Sequence, residues 1–175
     1  IDSNMYDFFQ PQYLDSSFSN LIHFFKKFYL NHLIDSLNKS YRKQFIFSHC
    51  SLYCYRDNHS PRWIHFDSYK SHIKLFIALN TINTLSFGPY CYVIGSHKNK
   101  AFKIFNYFFN KLVLSDVGSK PTDGSFLSKR YASPAFLNQH DLLISDNSGY
   151  HGDLPCLDNK LEKNLLVINL YENNA

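Results

Sequence analysis

Short strand-like segments separated by turn residues run through most of the chain after residue 43. Residues 44–55 alternate aromatic and polar side chains, and residues 73–80 form a nearly continuous apolar run of strand length. Further segments of this kind cover residues 63–67, 90–94, 141–146 and 165–171. The regular alternation of strands and helices that a doubly wound parallel sheet requires is not present. About seven short strands therefore predict a mainly β protein with flanking helices and an antiparallel sandwich or jelly-roll core.

Two other segments have helical spacing. Apolar residues recur every three or four positions over residues 16–37, and either Ser16 or Ser17 is a suitable N-cap. A second helical pattern covers residues 100–114. Residues 1–14 combine aromatic side chains with Pro11 and read as an irregular lead-in.

The length of 175 residues suits one domain with a sizeable core. We expect a single domain over residues 1–175, with a helical N-terminal part at 1–43 and a β core at 44–171. Because the first residue is Ile1, truncation of a longer polypeptide at the N-terminus is an alternative that the sequence leaves open.

Charge and cysteine content narrow the possible partners and compartment. The net charge is +4, and Lys and Arg are scattered, with no basic block longer than a dipeptide, so no nucleic-acid partner is expected. No apolar run approaches the roughly 18 residues of a membrane span. The four cysteines fit free thiols in a reducing compartment better than a disulfide framework. These features predict a cytoplasmic protein without a membrane partner.

His65 and Asp67 are the first candidates for chemistry. Successive side chains of a strand point to opposite faces, so these two would project from the same face. An imidazole beside a carboxylate is two thirds of the 2-His-1-carboxylate set that binds non-haem Fe(II). Roughly half a His-x-Asp is expected by chance in a chain of this size, and His151-Gly-Asp153 is a second copy. The surroundings of each copy must therefore decide between them.

Several short motifs accompany the first copy in a characteristic order. In chain order they are Trp63-x-His65-x-Asp67, the strand Lys74-Leu-Phe-Ile-Ala-Leu, Gly88-Pro89, Val93-Ile-Gly-Ser-His-Lys98, and Asp141-Leu-Leu-Ile-Ser-Asp146 followed by His151-Gly152 and Pro155. In this order, over about residues 44–171, they resemble the phytanoyl-CoA dioxygenase-like branch of the Fe(II)/2-oxoglutarate-dependent oxygenases.

The resemblance implies a fold, a metal site and a reaction. The fold would be a double-stranded β-helix, a cupin-like jelly roll whose open mouth holds the metal. His65, Asp67 and His151 would be both the iron ligands and the catalytic centre. Dioxygen and 2-oxoglutarate would be consumed to hydroxylate a C–H bond of a small-molecule substrate, with release of succinate and carbon dioxide.

The family places an arginine roughly ten residues after the distal histidine, where its planar fork binds the far carboxylate of 2-oxoglutarate. This chain has no arginine after Arg130. Lys163 is the favoured replacement because it opens the last strand, ahead of Lys160. Lys74 on a neighbouring strand and the hydroxyl of Tyr53 are further candidates for binding the co-substrate.

Two other functions stay open at this point. The missing arginine would also fit a jelly-roll binding or structural protein with a degenerate metal site. A cupin-like metalloenzyme that binds zinc or manganese at the same ligands, without 2-oxoglutarate, is the second alternative.

Overall fold

The computed structural model describes residues 5–7, 29–55, 64–113, 131–158 and 161–173. Over these ranges most elements are short strands in two antiparallel sheets, which confirms the predicted mainly β class. The predicted helix start at Ser16 or Ser17, Trp63 and Lys160 lie outside the described residues.

Among the described residues, the larger sheet has five strands: β1 (Met5–Asp7), β2 (Phe45–Tyr55), β3 (His72–Ala78), β6 (Leu142–Asp146) and β8 (Lys163–Glu172). Their order in the sheet is β1-β2-β8-β3-β6, so neighbours in the sheet are far apart in the chain, as in a jelly roll. The long strands β2 and β8 pair along nearly their whole length, from Phe45 opposite Glu172 to Tyr55 opposite Lys163.

A smaller sheet is built from β4 (Tyr90–Tyr92), β5 (Ser133–Pro134) and β7 (His151–Asp153), in the order β5-β4-β7. Side chains from both sheets meet in one hydrophobic cluster, in which Phe76 and Val167 of the larger sheet pack with Tyr90 of the smaller one. The two sheets therefore enclose a core between their facing surfaces.

Helix α1 (Asn31–Tyr41) covers the outer face of the larger sheet. Leu30 and Leu37 pack there against a second cluster that includes Ile73, Leu75 and Ile168. On β3 and β8 these apolar residues alternate with side chains that face the space between the sheets, so both strand surfaces are buried. This double burial explains why residues 73–80 read as a continuous apolar run.

The second predicted helix is present, whereas the prediction for the N-terminal residues was partly wrong. Helix α2 (Lys100–Val113) matches the second predicted helix, and the Asn99 side chain accepts a hydrogen bond from the backbone N–H of Phe102 at its start. The irregular lead-in expected at residues 1–14 was wrong at β1, which pairs with β2. Within the described ranges, no helix is long and apolar enough to cross a membrane.

Gly88 occupies a turn that only glycine accommodates. Its φ is +61°, and a Cβ built there would lie 2.5 Å from the Leu154 carbonyl oxygen and 2.8 Å from the Cys156 backbone nitrogen. Gly95 has a similar φ of +79°, but a Cβ there would meet nothing within 4 Å. Comparing substitutions at the two glycines therefore separates the cost of a positive φ from the cost of a steric collision.

We predict that Gly88→Ala and Gly95→Ala both lower the free energy of unfolding, each by about 1–3 kcal/mol from the positive φ. Gly88→Ala should lose clearly more, because the backbone of residues 154–156 must also move. Urea unfolding of both variants measures the difference. Equal losses would contradict the close approach of the two segments.

Candidate metal centre

Backbone pairing brings the two His-x-Asp copies together. The N–H of His65 donates to the carbonyl oxygen of His151 at 2.9 Å, and the N–H of His151 donates back at 2.7 Å. The N–H of Asp67 also donates to the Asn147 carbonyl oxygen at 2.9 Å. The segment that carries His65 and Asp67 thus forms one isolated β-bridge, between His65 and His151 of β7, and is not the regular strand predicted from its sequence.

The side chains of His65, Asp67 and His151, here called the triad, converge at this bridge. Each offers one ligand atom, and these atoms all lie within 4.8 Å of one another. Asp67 Oδ1 is 3.4 Å from His65 Nε2, and Asp67 Oδ2 is 3.5 Å from His151 Nε2. Both imidazoles are buried, whereas the carboxylate is partly accessible. The structure therefore assembles the three predicted ligands in one place.

The tautomer of His151 suits a metal ligand. Its Nδ1 lies 2.9 Å from the Gly149 carbonyl oxygen, which can only accept a hydrogen bond. The proton therefore resides on Nδ1, and the lone pair on Nε2 faces His65 and Asp67. Metal-ligating histidines commonly show this arrangement, since the outer hydrogen bond fixes the ring orientation.

The electrostatics favour the metal-binding protonation states of Asp67 and His151. Burial acts to raise the pKa of Asp67, but its contacts with His151 and His65 and the charge of Lys74 outweigh it, so the pKa lies well below its ordinary value. Burial lowers the pKa of His151 despite the nearby carboxylate. At neutral pH the site therefore presents an ionised carboxylate and a neutral imidazole.

This donor set fits a first-row divalent metal. Two imidazole nitrogens and one carboxylate oxygen on one face are the ligands of non-haem Fe(II) sites, and they leave coordination positions open. The fixed lone pair of His151 and the ionised Asp67 support the same interpretation. Asp153, from the second copy, instead accepts a hydrogen bond from Lys163 at 2.9 Å.

Sequence reasoning missed Asn147, which is fully buried beside the ligands. Its side-chain nitrogen donates to Asp67 Oδ2 at 3.2 Å and lies 2.9 Å from His151 Nε2. Its oxygen accepts a hydrogen bond from the Tyr90 hydroxyl at 3.2 Å. Asn147 thus connects two ligands, and its position in a turn carried no signal of this role.

Two further polar residues at the site, His72 and Asn169, were also missed. His72 Nδ1 lies 3.6 Å from Asp67 Oδ2, and its Nε2 lies 3.2 Å from Asn169 Oδ1. The His72 ring stacks on Tyr171 with a centroid separation of 4.2 Å. Burial, followed by the charge of Lys74, lowers the pKa of His72 to about 4. A buried strand histidine beside the motif could have been noticed in the sequence, but its partner on β8 could not.

The residues predicted to bind the co-substrate, Lys74, Lys163 and Tyr53, have different surroundings in the jelly roll. Lys74 Nζ is 2.8 Å from Asp67 Oδ2, directly at the ligand cluster. Lys163 donates to the Gly88 carbonyl oxygen at 2.8 Å as well as to Asp153, and it lies over the ring of Tyr55. Tyr53 packs against the cluster between the sheets. The structure therefore brings Lys74 to the triad, whereas Lys163 is already ion-paired elsewhere.

Comparison with known families and curated proteins gives no match. Solved structures do match. AviO1 from Streptomyces viridochromogenes Tue57 aligns with a TM-score of 0.57 and 16% identity, over 82% of this chain and 58% of that chain. HygX from Streptomyces hygroscopicus, with nickel and 2-oxoglutarate bound, gives 0.52 and 15%, over 76% and 58%.

A third similar structure is the non-heme monooxygenase ThoJ in its apo form, with a TM-score of 0.55 and 14% identity, over 80% of this chain and 51% of that chain. The chain thus spans less than two thirds of the length of each of these proteins. Identities this low establish the fold alone. The chain therefore has a β-rich, cupin-like jelly-roll core, the fold that it shares with these structures.

Proposed function

We propose that this protein is an Fe(II)- and 2-oxoglutarate-dependent dioxygenase that hydroxylates a C–H bond of a small molecule. The observation that carries the proposal is the convergence of His65, Asp67 and His151 within 4.8 Å in a jelly roll. The iron and 2-oxoglutarate seen in similar structures of HygX support the choice of metal and co-substrate. The motif order further suggests the phytanoyl-CoA dioxygenase-like branch.

The three ligands would hold the metal through the two Nε2 atoms and one oxygen of Asp67. When bound, iron supplies dioxygen activation, which couples conversion of 2-oxoglutarate to succinate and carbon dioxide with hydroxylation of the substrate. Three ligands on one face leave room for a chelating 2-oxo acid and for dioxygen. A carboxylate ligand at Asp67 leaves no place for a halide, so hydroxylation is favoured over halogenation.

Residues around the ligands would orient them and exclude water. Asn147 and Lys74 contact Asp67 Oδ2 and so restrict the rotation of the carboxylate. The wholly buried Ile64 and Phe66 flank the histidine of the motif. The ring of Tyr90 stacks against that of His151, with the centroids 5.7 Å apart. A dry, rigid surrounding favours chemistry at the substrate over side reactions with solvent.

The proposal extends to the whole chain and its setting. We take residues 1–175 as one oxygenase domain, with the helical part at 1–43 and the β core at 44–171. HygX has also been solved with hygromycin B bound, which supports a small molecule as the primary substrate here. The four cysteines are not joined in disulfides, which supports a reducing, cytoplasmic location.

One observation favours a second candidate function, a metalloenzyme that does not use 2-oxoglutarate. Lys163, the expected partner of the far carboxylate, is 4% exposed and already paired with Asp153. An ammonium neutralised in this way has little attraction left for a second carboxylate. Binding of 2-oxoglutarate by the metal-loaded protein separates the two candidates.

The direct test is turnover of 2-oxoglutarate to succinate by protein reconstituted with Fe(II). We expect measurable turnover by the wild type, and a loss of at least about a hundredfold in Asp67→Ala and His151→Ala because each removes a ligand. His32→Ala is the matched control, since His32 is exposed on α1 and should stay within twofold of the wild type. A loss of only a few-fold in the two ligand variants would refute the assignment.

Metal binding should also stabilise the fold, because the unfolded chain cannot assemble the three ligands. At a free Mn(II) concentration 100 times its dissociation constant, the free energy of unfolding should rise by about 2.7 kcal/mol. Chemical denaturation with Mn(II) and then with a chelator measures this change. His151→Ala should gain much less, and an equal gain in that variant would show that the metal binds elsewhere.

A further inference from the structure

Two buried polar side chains beside the triad have unmet hydrogen-bonding capacity. His72 is 3% exposed and Asn169 is 1% exposed. Among the described residues, neither His72 Nδ1 nor Asn169 Nδ2 has a hydrogen-bond partner. Leaving such groups unpaired in a protein interior is costly, and each instance calls for a specific explanation.

The strand register places these groups around Lys74. In the pairing of β3 with β8, Lys74 lies opposite Asn169 and His72 lies opposite Tyr171. Opposite residues of an antiparallel pair share a face, with Cβ atoms about 5 Å apart. That face is the one that looks into the space between the sheets, since Phe76 and Val167 further along the same strands line the core there. The three side chains therefore form one polar group inside the barrel.

The orientation of Asn169 follows from its contact with His72. Asn169 Oδ1 accepts, so the proton of the imidazole lies on Nε2, 3.2 Å away. With its oxygen engaged, the amide directs its two N–H donors away from His72. A buried amide donor needs an acceptor, and an acceptor that lies opposite a lysine is best supplied by an anion. Lys74 has three donors, so it can contact Asp67 and a second carboxylate at once.

Lys163 lies in a different part of the barrel. It precedes Asn169 by six positions on β8, which is about 20 Å along a strand at 3.3 Å per residue. Its ammonium also has two acceptors already, Asp153 and the Gly88 carbonyl. A five-carbon co-substrate is too short for one of its carboxylates to be bound by both Asn169 and Lys163.

We propose that Asn169, oriented by His72, acts together with Lys74 to bind a carboxylate of the 2-oxo acid, in place of an arginine clamp. This assignment rests on the proposed function, because it takes the anion at the metal centre to be the co-substrate. His72 is a positioning residue in this account, whereas Asn169 contacts the ligand directly. The carboxylate would accept a hydrogen bond from Asn169 Nδ2 and would be a second anionic partner for the Lys74 ammonium.

The test is the affinity of 2-oxoglutarate for protein loaded with Zn(II), measured by calorimetry so that no turnover is needed. Asn169→Ala should weaken binding at least about tenfold while leaving the Zn(II) affinity within twofold, since a charge-assisted hydrogen bond is lost. The matched control is Asn164→Ala, because Asn164 lies on the opposite face of β8 and also has a buried side-chain atom without a partner. Its 2-oxoglutarate affinity should stay within twofold of the wild type.

A paired substitution tests the rival site. Lys163→Met with Asp153→Asn removes the ion pair without leaving a buried charge, and it should change 2-oxoglutarate affinity by less than twofold. If Asn169→Ala does not fold, as judged by its melting temperature, Asn169→Asp keeps the shape and should weaken binding even more through charge repulsion.

The outcomes separate the two proposals. Two results would overturn the assignment of Asn169 but leave the proposed function standing. These are an unchanged 2-oxoglutarate affinity in the Asn169 variants, or a tenfold loss of that affinity in the Lys163 and Asp153 double variant. Wild-type protein that binds Zn(II) but not 2-oxoglutarate overturns the proposed function together with it.

Discussion

The antiparallel bridge between His65 and His151 is the contact on which the rest of the site depends. Two backbone hydrogen bonds join segments that are far apart in the chain, and β7 is in turn paired with β4. A shift of one residue in either pairing would turn a histidine to the opposite face. The ligand geometry is therefore set by sheet register, and it does not depend on long, flexible side chains finding one another.

The second constraint is the charge of Asp67. A partly buried carboxylate needs partners at all times, and here Lys74, Asn147 and the two histidines provide them. The chain can thus form this site before a metal arrives. A metal would then exchange with contacts that already exist, so the same groups that stabilise the fold also orient the ligands.

Much of the fold and the three candidate ligands could be predicted from sequence, because both have local signatures. Alternation and turn residues marked β2, β3 and β8, and the motif order singled out His65, Asp67 and His151. The polar residues around the ligands have no such signature. Asn169 reaches the site only because β8 pairs with β3 in one particular register, and sequence does not specify that register.

Lys163 also shows that sequence predicts the direction of a side chain more readily than its partners. Its position at the start of the last strand correctly suggested an inward-facing lysine, and the side chain is indeed buried. Its pairing with Asp153 joins β8 of the larger sheet to β7 of the smaller one, a contact that no short motif encodes. A charge can be predicted to face inward from alternation alone, but whether it is free to bind a ligand depends on the tertiary structure.

A crystal structure of the protein grown anaerobically with Fe(II) would test the central claim most directly. We expect one anomalous-scattering peak bonded to His65 Nε2, His151 Nε2 and an oxygen of Asp67, at about 2.0–2.2 Å from each. A site without metal at saturating Fe(II), or a metal bound only to other residues such as the cysteines, would contradict it.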